Sequence, residues 1–224
     1  MDIEFFKSMP YFTNEQFEAF TQKKHSSVLL TNLKKQNKII QIEKGKYTLH
    51  HDSLIYASHI IFPSYISGLS ALKYYKLTTQ IPLKTQILTK EIKRNNSYIS
   101  FITAPEKFFF GFEKKNYKNT QIFIATKEKL LLDSLYFQKL GVSVNDLDEL
   151  LNEPLNKKLL ISYLKTINNI SLIKRTGYLL EQHNIDIYNT FKKRIQQDSN
   201  YIKLEQQLPK TNSVNSKWRL NINI

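Results

Sequence analysis

The stretch from Phe12 to Leu49 constrains the fold more than any other, because a helix start, a striped helix and a glycine hairpin follow one another directly. Phe12-Thr13-Asn14-Glu15-Gln16-Phe17 carries a complete N-terminal helix signal. Thr13 caps, Gln16 three residues on closes the capping box, and Phe12 with Phe17 makes a hydrophobic staple. The spacing predicts a helix to about Thr21, with Phe17 and Phe20 as core contacts, preceded by a short helix over Asp2 to Lys7 that ends before Pro10. After the basic turn Lys23-Lys24-His25, either Ser26 or Ser27 can cap a second helix, in which Leu29, Leu30 and Leu33 form one apolar stripe. The other face carries Ser27, Thr31, Lys34 and Lys38. Ile39 to Leu49 then reads as a β-hairpin whose turn holds Gly45 between Lys44 and Lys46. Helix, helix, hairpin is the order of a winged helix-turn-helix, expected over residues 1–55.

The remainder, residues 56–224, reads as a mixed α+β domain with a strand-rich middle and a helical C-terminal part. A helix is expected from Tyr65 to about Tyr75. Strands follow at Ile87-Leu88, Tyr98 to Ile102, Phe108 to Phe110 and Ile122 to Ile124. From Thr126 the pattern turns helical: Lys129 to Phe137, Asn145 to Leu151, Leu155 to Ile167, Ile170 to Gln182 and Ile187 to Ile195. Lys217 to Ile222 is expected to form a final strand.

Several chemistries lack their residues. With no cysteine there is no disulfide, thiol nucleophile or cysteine-held metal. The five glycines are scattered, so no phosphate-cradling loop can be assembled from them. His50 and His51 are adjacent, which is poor spacing for two ligands on one metal. Gly68-Leu69-Ser70 lacks the second glycine of a nucleophile elbow, and Asp146 with Asp148 sits at a helix start, where carboxylates complement the dipole. No enzyme, metal or cofactor is expected. No apolar run approaches the roughly 20 residues of a membrane span, and Met1-Asp2-Ile3-Glu4 lacks the basic and apolar regions of a signal peptide. A cytoplasmic protein is expected.

The net charge of +14 favours polyanionic partners, although lysine-rich, Asn- and Ile-rich composition also accompanies AT-rich genomes. Placement is more informative. Between Lys23 and Lys46 there are seven lysines and one acid, Glu43. In a helix-turn-helix the second helix enters the major groove. Ser27 and Thr31 then suit base edges, and Lys24, His25, Lys34, Lys35 and Lys38 flank them toward phosphates. Lys44 and Lys46 at the hairpin tip suit the neighbouring backbone or minor groove. The alternative is a protein-binding adaptor whose winged helix docks a partner protein and whose lysines are simply solvated. Lys192-Lys193-Arg194 forms a second, shorter basic run on a helix face.

A family resemblance is carried by the short winged helix, the hairpin ending Gly45-Lys46-Tyr47 and four later segments. Tyr65-Ile66-Ser67-Gly68-Leu69-Ser70-Ala71-Leu72-Lys73-Tyr74-Tyr75-Lys76-Leu77 follows the hairpin. Ala125 to Tyr136 is similar to an A-x-x-E-K-x-x-x-D segment, and Arg175 to Glu181 and Lys217 to Leu220 come later. In this order they resemble the AbiEi-type antitoxins over nearly the whole chain. The resemblance implies a transcriptional autorepressor and antitoxin of an abortive-infection, type IV toxin–antitoxin operon. It also implies double-stranded operator DNA with inverted repeats as one partner, and a nucleotidyltransferase-fold toxin as the other. The sequence departs from the family pattern in its second helix, which bears lysine without arginine.

Overall fold

The structure, a computed structural model, describes residues 3–22, 26–92 and 94–224. At 41% helix and 18% strand distributed over several sheets, the fold is mixed α+β. The chain divides into two compact units. The first comprises Met1–Ile66, Pro82–Ala104 and Glu113–Ile124; the second comprises Ser67–Ile81, Pro105–Phe112 and Ala125–Ile224.

The first unit opens with a 3-10 turn over Glu4–Ser8, then strand β1 (Phe12–Thr13) and helix α1 (Asn14–Thr21). The capping box is present: Gln16 N–H donates to Thr13 Oγ1 at 3.3 Å, and Thr13 N–H donates to the Gln16 carboxamide oxygen at 2.8 Å. The staple rings of Phe12 and Phe17 stack with centroids 5.8 Å apart. Helix α2 (Ser27–Lys35) follows, then β2 (Ile40–Glu43) and β3 (Lys46–Thr48). These strands order as β1-β3-β2, all antiparallel, with Gln41 and Phe12 flanking Tyr47 from either side. Between them, Ile3, Phe6, Phe12, Phe17, Leu30, Leu33 and Ile39 close one buried cluster. Phe20 departs from expectation. It is 40% exposed and stacks on Phe5, because the core beneath is already filled by Phe6, which meets Phe20 edge-on.

After the one-turn helix α3 (Leu54–Ala57) come β4 (Ser64–Ile66), β5 (Thr85–Thr89), β6 (Ile99–Thr103), β7 (Phe112–Tyr117) and β8 (Thr120–Ala125). They form a five-stranded sheet in the order β6-β5-β4-β8-β7, with β4 antiparallel to β5 and parallel to β8. Two sequence expectations give way here. Ser64, Tyr65 and Ile66 are a fully buried strand rather than the start of a helix, and the helix begins only at Gly68, whose φ of +62° turns the chain. Strand β7 is one the sequence pattern does not predict. Glu113, Lys114, Lys115 and Asn116 break any apolar alternation, as edge strands commonly do.

The second unit holds α4 (Gly68–Tyr74), α5 (Lys127–Tyr136), α6 (Asp148–Leu151), α7 (Lys157–Ile167), α8 (Ile170–Gln182) and α9 (Tyr188–Gln197). A small sheet, β9 (Ile202–Lys203), β10 (Val214–Asn215) and β11 (Leu220–Asn221), has the order β10-β11-β9. Phe108 to Phe110 is not a strand: after Pro105 the chain makes a 3-10 turn, which buries the Phe108 ring against Tyr136 and Phe137. Among the described residues, no helix is long and apolar enough to cross a membrane.

Candidate nucleic-acid interface

Helix α2 starts where Glu18 of α1 reaches across to it. The Glu18 carboxylate accepts from Ser26 N–H at 3.2 Å and from Ser26 Oγ at 3.4 Å. Ser26 is thereby buried, and it makes no side-chain cap bond to α2. Leu30 and Leu33 face the core, which leaves Ser27, Val28, Thr31, Asn32, Lys34 and Lys35 exposed. Thr31 Oγ1 donates to the Ser27 carbonyl at 2.8 Å, so its hydroxyl proton is committed within the helix.

The lysines sort into two groups. Lys35, Lys38 and Lys44 are exposed, and Lys34 is exposed while donating to Gln41 Oε1 of β2 at 2.8 Å. Lys38 lies beyond the end of α2, in the turn leading to β2. Lys46 is held differently. Its ammonium donates to the Ile60 carbonyl at 2.9 Å, pairs with Glu43 at 2.8 Å and lies 5.4 Å from the Tyr11 ring centroid. With Lys46 occupied in this way, the one acid of the segment is compensated internally, and Lys34, Lys35, Lys38 and Lys44 supply the outward charge. Lys24 and His25 lie outside the described residues.

Elsewhere in the first unit, Asp52 accepts from Lys118 Nζ at 2.6 Å, Tyr117 OH at 2.8 Å and Leu54 N–H at 3.1 Å. Burial would push its carboxyl up, but these bonds outweigh burial and hold it below the ordinary carboxylate value. His50 is bound to the Met9 carbonyl at 3.1 Å.

In the second unit the recurring segments prove to be packing partners. Ser67 Oγ donates to Asp133 Oδ2 at 3.0 Å, and Asp133 also pairs with Lys129, one turn back on α5, with both charged side chains fully buried. The Lys129 ammonium lies 5.3 Å and 5.5 Å from the ring centroids of Phe108 and Phe110. Burial pushes that ammonium down, and Asp133 opposes the shift. Tyr75 OH donates to the Ala125 carbonyl at 2.8 Å, joining the same two segments. The later pair meets at Gly177, where a Cβ would overlap the Trp218 ring, while Trp218 Nε1 donates to Glu181 Oε2 at 2.7 Å. Asp146 takes a local role, accepting from Ser143 N–H and Oγ. Lys192 and Lys193 are exposed on α9, and Arg194 is half-buried. A cavity of about 210 Å³ lined by Gly141 to Asn145, Glu205, Gln207, Leu208 and Ile224 also lies in this unit. Among the described residues, no group of three or more His, Asp or Glu side chains is placed to hold a metal ion.

Sequence reasoning missed the tether on Lys46, which depends on a carbonyl fourteen residues away. It also missed the exposure of Val28, which a helical projection opposite Leu30 and Leu33 would have found.

No protein-family model matches the chain, and no curated protein matches it. Among solved structures, it is similar to the crystal structure of the RV2827C protein from Mycobacterium tuberculosis. The two share 15% identity with a TM-score of 0.68, over 94% of this chain and 85% of the other. At that identity the likeness shows a shared fold.

Proposed function

We propose that this chain is a cytoplasmic, DNA-binding transcriptional autorepressor that serves as the antitoxin of a nucleotidyltransferase-type toxin. The observation that carries the DNA half is the exposed face of α2. Leu30 and Leu33 anchor the helix while Ser27, Thr31, Lys34 and Lys35 stand outward, joined by Lys38 and Lys44. We read residues 1–55 as a winged helix-turn-helix. The order of 3-10 turn, β1, α1, α2, β2 and β3, with the sheet ordered β1-β3-β2, supports that reading. α2 is then the recognition helix and the β2–β3 hairpin the wing. The toxin half rests on the AbiEi-type resemblance of the four segments assigned to residues 56–224. The packing of Ser67 to Tyr75 on Ala125 to Asp133, and of Gly177 on Trp218, within the second unit gives a physical reason for their order and spacing.

The test separates the two activities. Full-length protein with Lys34, Lys35, Lys38 and Lys44 changed to Ala is titrated against DNA upstream of its own gene at several salt concentrations. Each of these lysines that pairs with a phosphate should, on removal, reduce the salt slope by about 0.9. The same variant loses repression of a reporter and still protects cells co-expressing the neighbouring nucleotidyltransferase. An unchanged salt slope defeats the DNA assignment, and loss of protection by the folded variant defeats the division of labour.

A second reading, a protein-docking adaptor, draws on Val28, 69% exposed on α2, and on the exposed Phe5–Phe20 stack. It requires partner binding to fail on Val28→Asp while DNA affinity stays low and independent of the four lysines.

A further inference from the structure

The outward centre of α2 is not where its hydroxyls are. Leu30 and Leu33 fix the buried direction. At about 100° per residue, the opposite direction falls on Val28 and Lys35, seven residues apart, with Thr31 and Asn32 on either side of that line. All four are exposed. Ser27 and Lys34 lie toward one flank, and Lys34 leans onto Gln41 of β2. The middle of the face therefore presents a valine, a threonine whose hydroxyl proton is already bound and a carboxamide, with one lysine a turn further on.

Resting on the DNA-binding reading above, we propose that Val28 and Asn32 are its base-reading residues and that they select A·T pairs. The chemistry is specific. In the major groove, thymine alone offers a C5 methyl group, against which an exposed aliphatic side chain buries apolar surface. Adenine offers the N7 acceptor and N6 donor that a carboxamide engages with two hydrogen bonds. Val28 lies in the first turn of α2, within the N-terminal half that reads bases in this docking geometry, and Asn32 follows one turn later, just past the middle of the nine-residue helix. Thr31, with its proton held by Ser27, keeps only acceptor capacity. Lys35 continues the line toward the phosphates. A β-branched residue exposed in a helix costs conformational freedom; a thymine methyl offsets that cost by giving it something to bury against.

Full-length protein is used to select duplexes from a random-sequence pool, and the enriched duplex is resynthesised with each thymine replaced singly by deoxyuridine, which removes only the methyl. We expect enrichment of A·T pairs at adjacent positions. At one position the deoxyuridine duplex should bind wild-type protein about fourfold more weakly, the effect of one buried methyl, and Val28→Ala equally well. Asn32→Ala should lose roughly 5- to 150-fold of its preference for adenine at a neighbouring position, the range for a good bidentate contact, with non-specific affinity kept. Both side chains are exposed, so both variants should retain the wild-type circular dichroism spectrum. Enrichment in which no thymine methyl matters, or in which Val28→Ala remains methyl-sensitive, overturns the inference and leaves DNA binding standing. Failure to bind any duplex overturns the DNA reading as well.

Discussion

Gly177 and Lys46 show how single positions take their meaning from residues far away in sequence. Gly177 sits inside α8, where glycine costs about 1 kcal/mol relative to alanine, yet a methyl there would overlap the Trp218 ring. Gly177→Ala is therefore expected to lose the helix gain and destabilise by about 1–3 kcal/mol through overpacking, measured by urea unfolding. Combining it with Trp218→Leu should recover part of the loss, because the smaller side chain vacates the space. Recovery absent, or Gly177→Ala more stable than wild type, would show that the ring is not what excludes the methyl. Lys46 makes the complementary case. Its ammonium is spent on Ile60 and Glu43. Lys46→Ala should lower stability by about 1.5–3 kcal/mol, the range for a charged hydrogen bond, with the salt slope of DNA binding unchanged. A slope reduced as much as by Lys44→Ala would place Lys46 on phosphate instead.

At the scale of elements, legibility followed local chemistry. Helix α1 could be read because Thr13, Gln16, Phe12 and Phe17 act within five residues of one another, and α8 because its apolar period is regular. Where tertiary burial overrode local preference, reading failed. Ser64 to Ile66 is drawn into the middle of a sheet by strands twenty and sixty residues away, and Phe108 is pulled into a turn by two rings of α5 and its end. The α2 face was half legible: the lysines were visible as charge and the exposure of Val28 follows from its place opposite Leu30 and Leu33, but the tether that commits Lys46 to the Ile60 carbonyl was not. Helix α5 carries the strongest test at this scale. The Lys129–Asp133 pair is fully buried, and Ser67 uses another carboxylate oxygen. Asp133→Ala leaves an ammonium buried without its counter-charge, so it should cost about 3–5 kcal/mol. The double variant Lys129→Met with Asp133→Leu should be less destabilised than Asp133→Ala alone, because no charge remains to be desolvated. Additive losses would mean that the pair does not act as a unit.

For the whole molecule, the excess of lysine makes acid the informative stress. Lowering pH neutralises the carboxylates and leaves 33 Lys and Arg residues unopposed, a repulsion that added salt screens. Two carboxylates add a contribution that salt screens less, one in each compact unit. Asp198 accepts from the buried Lys174 ammonium at 2.8 Å and from Asn200, and is held below its ordinary value of 3.8 chiefly by Lys174. Asp52 is held below the same value by Lys118, Tyr117 and Leu54 against the opposing effect of burial. Because the folded state depresses both, each contributes stability that is fully present above the ordinary value and lost as pH falls through the folded one. Urea midpoints are thus expected to hold steady from pH 7 to about pH 5 and to fall below about pH 4. Asp198→Asn and Asp52→Asn should each start lower at pH 7 and show a shallower fall, so that the curves converge on wild type in acid. Repeating the series with added NaCl should raise all midpoints at low pH while preserving the difference in slope between wild type and each variant. Parallel curves, with the variants equally destabilised at every pH, would mean that the two carboxylates hold their partners as neutral hydrogen-bond acceptors and that general charge repulsion alone sets the acid limit.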